Sequence, residues 1–279
     1  MGYTSRIVHY FIFKKISVEK LSVIKIGGNI IDNEANLASF LTAFSQIEGQ
    51  KILIHGGGKL ATKMAADLNI PQQMVDGRRI TDAATLTIVT MVYAGYINKN
   101  MVAALQSKNI NALGICGADA NIIKAHKRIN ATIDYGFVGD IDTVDTEKIM
   151  QFLHTGLSLV VAPITHDGTG QLLNTNADTM AQAIATALSS KYEVSLVYSF
   201  ERKGVLSAIE DSNSVIPIIN PQNYAALKES GQVNEGMIPK LDNAFEALQK
   251  GVTRVIIGDA LKIDELIAGK SGTTIQKNQ

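Results

Sequence analysis

The chain of 279 residues has no tryptophan, a single cysteine and only five prolines. One thiol, Cys116, excludes an intramolecular disulfide and points to the reducing cytosol as the natural compartment. A lone cysteine of this kind reads as a small buried hydrophobe. Excess charge is also missing: 26 basic side chains balance 26 acidic ones. That balance gives no electrostatic footprint for nucleic acid or an anionic membrane surface, so neither is an expected partner. Long hydrophobic runs are absent as well. The early stretch IVHYFIF, Ile7 to Phe13, is interrupted by His9 and closed by Lys14 and Lys15. It is too short to span a bilayer, and no small-residue cleavage site follows, so a signal peptide is not expected. Residues 1–20 read as an N-terminal extension, a frayed arm or an upstream start ahead of the domain, with an oligomer-contact arm as the sharper alternative. The five histidines, at 9, 55, 126, 154 and 166, show no metal spacing, and no Ser/His/Asp or Cys/His arrangement is legible. No protein-bound metal site and no covalent nucleophile are therefore expected.

What the chain does have is an alternation of short apolar runs with helical patterns. Leu21 to Ile26, Lys51 to Ile54, Leu159 to Ala162, Val194 to Tyr198 and Arg254 to Ile257 read as buried strands. Helices are expected over Leu37 to Gln46, Lys59 to Leu68, Ala83 to Gln106, Thr146 to His154, Ala177 to Leu188, Pro221 to Ser230 and Met237 to Gln249. This pattern predicts an α/β protein with a largely parallel, doubly wound sheet. No repeat or proline-rich linker divides it. A soft seam after Leu188, in SSKYE, separates two lobes of one domain over about residues 21–189 and 190–279.

Five constellations could carry chemistry. In VIKIGGN, Lys25 stands inside an apolar strand that ends on Gly27 and Gly28. A buried lysine needs an anion beside it, and glycines let backbone N–H groups approach a ligand. An edge-strand lysine next to an ordinary turn is the competing reading. The stretch ILIHGGGKL, Ile52 to Leu60, delivers three glycines to a helix start. It is not a Walker loop, because Gly58-Lys59 is followed by Leu60, and it is not a dinucleotide fingerprint, because position 61 is Ala. A strand, three glycines and a helix N-terminus still make a place for an anion. In DGRRITD, Asp76 to Asp82, two arginines precede a long helix that Asp82 would cap. Asn98 and Lys99, further along that helix, read as surface residues. In GQLLNTNADT, the residues Asn174, Asn176 and Asp178 alternate along an extended segment at a helix entrance; capping explains one of them but not all three. In EGMIPKLDNA, Gly236 opens a helix and Lys240 lies in its first turns, where a cation opposes the helix dipole. An anionic ligand would resolve that oddity.

Taken in order, VIKIGG, ILIHGGG, DGRRITD, NTNADT and GMIPK resemble the amino acid kinase family, with the resemblance running from about Leu21 to Ile275. Five motifs in order are far more specific than any one. The resemblance implies an open αβα sandwich whose N-terminal lobe takes an acyl amino acid and forms a homodimer interface, while its C-terminal lobe binds ATP. The combination of HGGG, Arg79 and NTNAD favours the members that phosphorylate the γ-carboxylate of N-acetyl-L-glutamate in arginine biosynthesis. It implies ATP with Mg²⁺ held through the nucleotide. Carried over by motif, Lys25 and Lys240 match the lysines that neutralise the transferring phosphoryl group, and Asp178 matches the aspartate that orients them. Gly27, Gly28 and Gly57 match glycines whose N–H groups face phosphate. Gly56, Gly57, Arg79 and Asn174 match the acylglutamate site, with Asn176 between the two ligands. The nucleotide lobe departs from the family pattern: Phe200-Glu201-Arg202-Lys203-Gly204 stands where Thr-Asp-Val-Pro-Gly is usual, which leaves Glu201, Lys203 and Gly204 as nucleotide-binding candidates, and a phosphate role is conceivable for Arg202 or Lys203. After Ile257 comes Gly258-Asp259-Ala260, not Ile-Asp-Gly-Arg. The N-terminal helix and C-terminal signature that resemble arginine-inhibited hexamers are not evident, so a homodimer without arginine feedback is the expectation. N-succinyl-L-glutamate is a rival substrate that would ask for an added cation or donor in the acyl pocket. A catalytically silent amino-acid sensor is the reading from another class, and the presence of Lys25, Lys240 and Asp178 together argues against it.

Overall fold

The computed structural model describes residues 18–75, 78–208, 210–230 and 237–277. Most of the N-terminal extension, Asp76 and Gly77 of the arginine motif, and Glu235 and Gly236 of the last motif lie outside them. In chain order the strands are β1 (Lys20–Ile26), β2 (Gln50–Ile54), β3 (Gln73–Val75), β4 (Arg78–Ile80), β5 (Ala112–Cys116), β6 (Ile123–Lys127), β7 (Gly139–Val144), β8 (Ser158–Ala162), β9 (Ile164–His166), β10 (Leu172–Asn174), β11 (Glu193–Phe200), β12 (Ile218–Ile219), β13 (Arg254–Asp259) and β14 (Thr273–Ile275). The α-helices are α1 (Gly28–Ile31), α2 (Glu34–Ser45), α3 (Gly58–Asp67), α4 (Ala83–Thr90), α5 (Asn98–Gln106), α6 (Thr146–His154), α7 (Ala177–Leu188), α8 (Pro221–Glu229), α9 (Ile238–Gln249) and α10 (Ile263–Ile267). Among these residues no helix is long and apolar enough to cross a membrane.

Eight strands form one sheet in the order β12-β14-β13-β11-β1-β2-β8-β5. Every pairing in it is parallel except β13 with β14. Continuous apolar runs in its central strands follow from cover on both faces. Alternate side chains of β1 go to opposite sides: Leu21 and Val23 pack with α6, α7 and α9, while Ile24 and Ile26 pack with α2, α3, the α4–α5 run and α10. Helices on both faces make this the open αβα sandwich expected from the sequence. The seam after Leu188 falls in the turn between α7 and β11, and the sheet runs straight across it, because β11 pairs with β1.

The five strands and seven helices read from the sequence all appear, displaced at their ends by at most three residues. Not anticipated was a second sheet of four short strands, β10-β9-β6-β7. Two of its strands have only three residues, too few for a period to show, and the alternation of β6 spans just five. The long helix of 83–106 is a single helical run, but its middle, Met91–Ile97, is wound as a π-helix. As expected, Asp82 caps the start of that run, accepting from Thr85 N at 2.7 Å.

Candidate active site

Two cavities meet at the N-terminus of α7. Lys25, Asp178, Tyr198, Ser199, Phe200, Lys240 and Asn243 line the first. The strand alternation that sends Val23 toward α7 sends Lys25 the same way, and the ammonium meets the Asp178 carboxylate at 2.8 Å. Because β1 lies between β11 and β2, the edge-strand reading of Lys25 is excluded. Its side chain is 20% exposed and that of Asp178 is 45% exposed, so the pair stands at the rim of the core with its outer side open. Asp178 also occupies the first turn of α7, where the helix dipole favours a carboxylate. Lys240, exposed on the first turn of α9, places Nζ 5.0 Å from the centroid of the Phe200 ring. The aromatic face gives that cation a resting place that the helix terminus does not. Burial, reinforced by the Asp178 carboxylate, pushes the Tyr198 phenol above its ordinary pKa, so it stays a neutral donor.

Gly56, Gly57, Gly58, Arg78, Arg79, Tyr93, Arg128 and the run Asn174 to Ala177 line most of the second cavity. Arg79 is nearly buried and held on three sides: Nη2 donates to Gly58 O and to Thr62 Oγ1, each at 2.9 Å, and Nη1 to Gln72 Oε1. Asn174 donates Nδ2 to Thr81 Oγ1 at 3.0 Å, which fixes its amide plane. Asn176 is the helix cap, its Oδ1 accepting from Asp178 N at 2.9 Å and Thr179 N at 3.0 Å. Capping thus accounts for Asn176 and for neither of the other two. Asn176 and Asp178, two residues apart, place one side chain on each cavity.

The glycine loops differ in what they leave free. Gly27 donates its N–H to Ser199 O at 2.7 Å, so this group is not offered to a phosphate, contrary to the sequence expectation. A β-carbon there would press on Ser199 O and Phe200, and close strand approach is the reason for glycine at that position. Gly28 opens α1 and its surroundings are open. Gly57 has φ +149°, and a β-carbon on it would collide with Ile97 Cδ1 and crowd the Tyr93 ring. Lys59 projects into solvent beside Asn29 and Asp32. Glu201, Lys203 and Gly204 line neither cavity. Lys203 donates to Asn213 Oδ1 at 2.9 Å, and Gly204 is enclosed by Thr273 and Val215.

One assignment is corrected outright. Asn98 is not a surface residue but fully buried, with Nδ2 bonded to Val160 O at 2.9 Å and to His55 Nε2 at 3.1 Å. Its polarity and the lysine beside it point to the surface, but buried Met101 and Leu105, three and seven residues on, share its face of α5. Tyr93 lies inside the helical run, outside the motifs read for chemistry. Arg128 and Tyr198 had no motif around them to mark them.

Chemically, the first cavity offers two ammonium groups and the second offers guanidinium groups and glycine N–H donors. Together they suit two anionic groups drawn toward each other. Residues 20–259 match the sequence profile of the amino acid kinase family. The acetylglutamate kinase of Cytophaga hutchinsonii is 56% identical over 251 residues, covering 90% of this chain and 95% of that protein. The acetylglutamate kinase of Bacteroides fragilis is 51% identical over 259 residues, 93% of this chain and 98% of that one. Among solved structures, an N-acetylglutamate synthase from Neisseria gonorrhoeae, complexed with coenzyme A and N-acetyl-glutamate, superposes with a TM-score of 0.76 at 22% identity. That match covers 94% of this chain and 60% of the other, and it speaks for the fold alone.

Proposed function

The chain belongs to the amino acid kinase family, and from that premise we propose that it transfers the γ-phosphoryl group of ATP to the γ-carboxylate of N-acetyl-L-glutamate, a step of arginine biosynthesis. The observation that carries this reading is the junction at α7, where the Lys25–Asp178 pair stands beside a cavity walled by Arg79, Gly57 and Asn174. A γ-carboxylate with an ordinary pKa of about 4.3 is already ionised at neutral pH, so it needs no general base. Repulsion between two anions is the barrier. Fixed positive charge and N–H donors, in place before the substrates meet, lower it.

In this mechanism Lys25 and Lys240 neutralise the transferring phosphoryl group from the two sides of the first cavity, and Asp178 holds Lys25 in position. Arg79 takes the substrate's α-carboxylate, Asn174 and Gly56 line its binding site, and Gly57 offers an N–H near the reacting carboxylate. Asn176 keeps its amide NH₂ free at the junction of the two ligands. Gly28 serves the nucleotide from the end of β1, and the turn of Glu201, Lys203 and Gly204 serves it from the C-terminal lobe. Mg²⁺ adds positive charge at the phosphates when bound. We further place the enzyme in the cytoplasm as a homodimer without arginine feedback. Exposed apolar side chains at Met91 and Tyr96, on the lobe that holds the second cavity, support assembly there.

N-succinyl-L-glutamate is the second reading, and a specific observation favours it. The second cavity carries Arg78 in addition to Arg79, the added cation a further carboxylate would need, while Arg128 beside them is already paired with the Asp140 carboxylate. Mg-ATP with N-acetyl- or N-succinyl-glutamate, trapping the acyl phosphate with hydroxylamine, tests both. Hydroxamate from neither would refute the kinase; a strong preference would assign the acyl group. Arginine added at millimolar concentration should leave the rate unchanged, and clear inhibition would remove the feedback claim.

A further inference from the structure

A run of three glycines opens the backbone to a ligand at a cost in definition. The peptide plane between Gly56 and Gly57 has no side chain on either flank to fix it, and glycine tolerates either orientation of that plane. In a trans peptide the C=O and the following N–H point in opposite directions, and the described chain has no cis bonds. Whatever holds Gly56 O therefore aims Gly57 N–H. The main sheet does not hold it, since the strand ladder ends at His55 N, which donates to Val161 O at 3.3 Å. Among the described residues Gly57 N–H donates to no protein group, while Gly57 itself lines the second cavity.

The group that does reach Gly56 O is the His55 ring, with Nδ1 at 2.8 Å. A carbonyl oxygen only accepts, so Nδ1 must carry a proton. His55 is fully buried, and burial takes its pKa down to about 4, leaving a neutral ring with one N–H. Nε2 is then a lone pair that needs a donor, and Asn98 Nδ2 stands 3.1 Å from it. The orientation of Asn98 is itself determined. Its other Nδ2 hydrogen meets Val160 O at 2.9 Å, and its Oδ1 accepts from Lys99 Nζ at 3.2 Å, which also bonds Gly114 O at 2.7 Å. Turning the amide over would set oxygen against the Val160 carbonyl and NH₂ against the ammonium. Space for this arrangement comes from Gly114, where a β-carbon would collide with Asn98 Oδ1.

We propose that His55 and Asn98 are positioning residues for the phosphoryl transfer: Asn98 fixes the Nδ1–H tautomer of His55, the ring pins the Gly56 carbonyl, and the Gly57 N–H is thereby held toward the reacting carboxylate. The inference rests on the proposed kinase reading for the step it serves. It asks for a role from two fully buried polar side chains that line neither cavity.

The test combines ring nitrogen NMR with steady-state kinetics. In the wild-type protein, ¹⁵N shifts of His55 should report a protonated Nδ1 and a bare Nε2 at pH 7. Asn98→Ala should move the tautomer balance toward Nε2–H, shift the Gly57 amide resonance, and lower kcat for hydroxamate formation about 10- to 100-fold. The KM for ATP should stay within twofold, a split that general loosening of the fold would not give. A wild-type ring protonated on Nε2 would overturn the proposal without any variant, so it remains testable should Asn98→Ala fail to fold. So would a changed tautomer with kcat within twofold of wild type. No hydroxamate from the wild-type protein would instead remove the kinase reading, and the Gly57 resonance would then decide the relay alone.

Discussion

The buried ring of His55 makes a prediction about acid stability that can be worked to a number. Its pKa in the folded chain is about 4 against 6.5 for a free imidazole, chiefly because a fully buried site disfavours the charged form. The hydrogen bond from Nδ1 to Gly56 O acts the other way, favouring the charged ring, and burial outweighs it. Above pH 6.5 both folded and unfolded chains hold a neutral ring, and the contribution of burial is fully present. As pH falls from 6.5 to 4, the unfolded chain binds a proton at position 55 that the folded chain refuses. Stability therefore declines through that window and the decline stops below pH 4, where both states are charged. The separation of about 2.5 pKa units corresponds to about 3 kcal/mol in total, of which about 2 kcal/mol is lost by pH 5.

His55→Gln removes the titrating group and keeps a hydrogen-bonding side chain of similar reach. Urea unfolding followed by circular dichroism at pH 7 and pH 5 should show the wild-type protein losing about 2 kcal/mol more than the variant between those two conditions. Subtracting the variant cancels the other histidines and the carboxylates, which titrate in both proteins. A wild-type imidazole that titrates by NMR with a midpoint above 6, or equal pH losses in the two proteins, would refute the reasoning.

Lys240→Ala removes an exposed cation resting on the Phe200 ring, so kcat should fall at least 100-fold in the hydroxamate assay while the melting temperature moves by no more than about 2 °C; near-normal turnover would show its role is misassigned. Arg79→Lys replaces a fork that holds Gly58 O, Thr62 and Gln72 with a single ammonium, and the KM for the acylglutamate should rise at least tenfold with the KM for ATP unchanged. Gly57→Ala should cost both fold and function, because the β-carbon collides with Ile97 and the backbone there stands at φ +149°; a loss of about 2 kcal/mol or more in unfolding free energy is expected, and a fully stable variant would contradict the close packing of loop against helix.

The fold was legible because its central strands and helices are long and strongly patterned, and because covering both faces of a parallel sheet forces continuous apolar runs on the chain. Lys25 and Asp178 were legible for a related reason: a charge inside such a run calls for a partner, and the partner lies where the strand alternation sends the side chain. Asn98 was not legible. A polar residue followed by lysine points to solvent, and no sequence pattern shows that a histidine ring and a strand carbonyl face its amide inside the fold. The π-wound run Met91–Ile97 brings Tyr93 and Ile97 against Gly57, and Asn98 follows it to meet His55. His55 differs again. It stood in plain view beside the three glycines, but its meaning lies in a tautomer, and a tautomer depends on what faces each ring nitrogen. Only the packed chain sets Gly56 O on one side of that ring and Asn98 on the other.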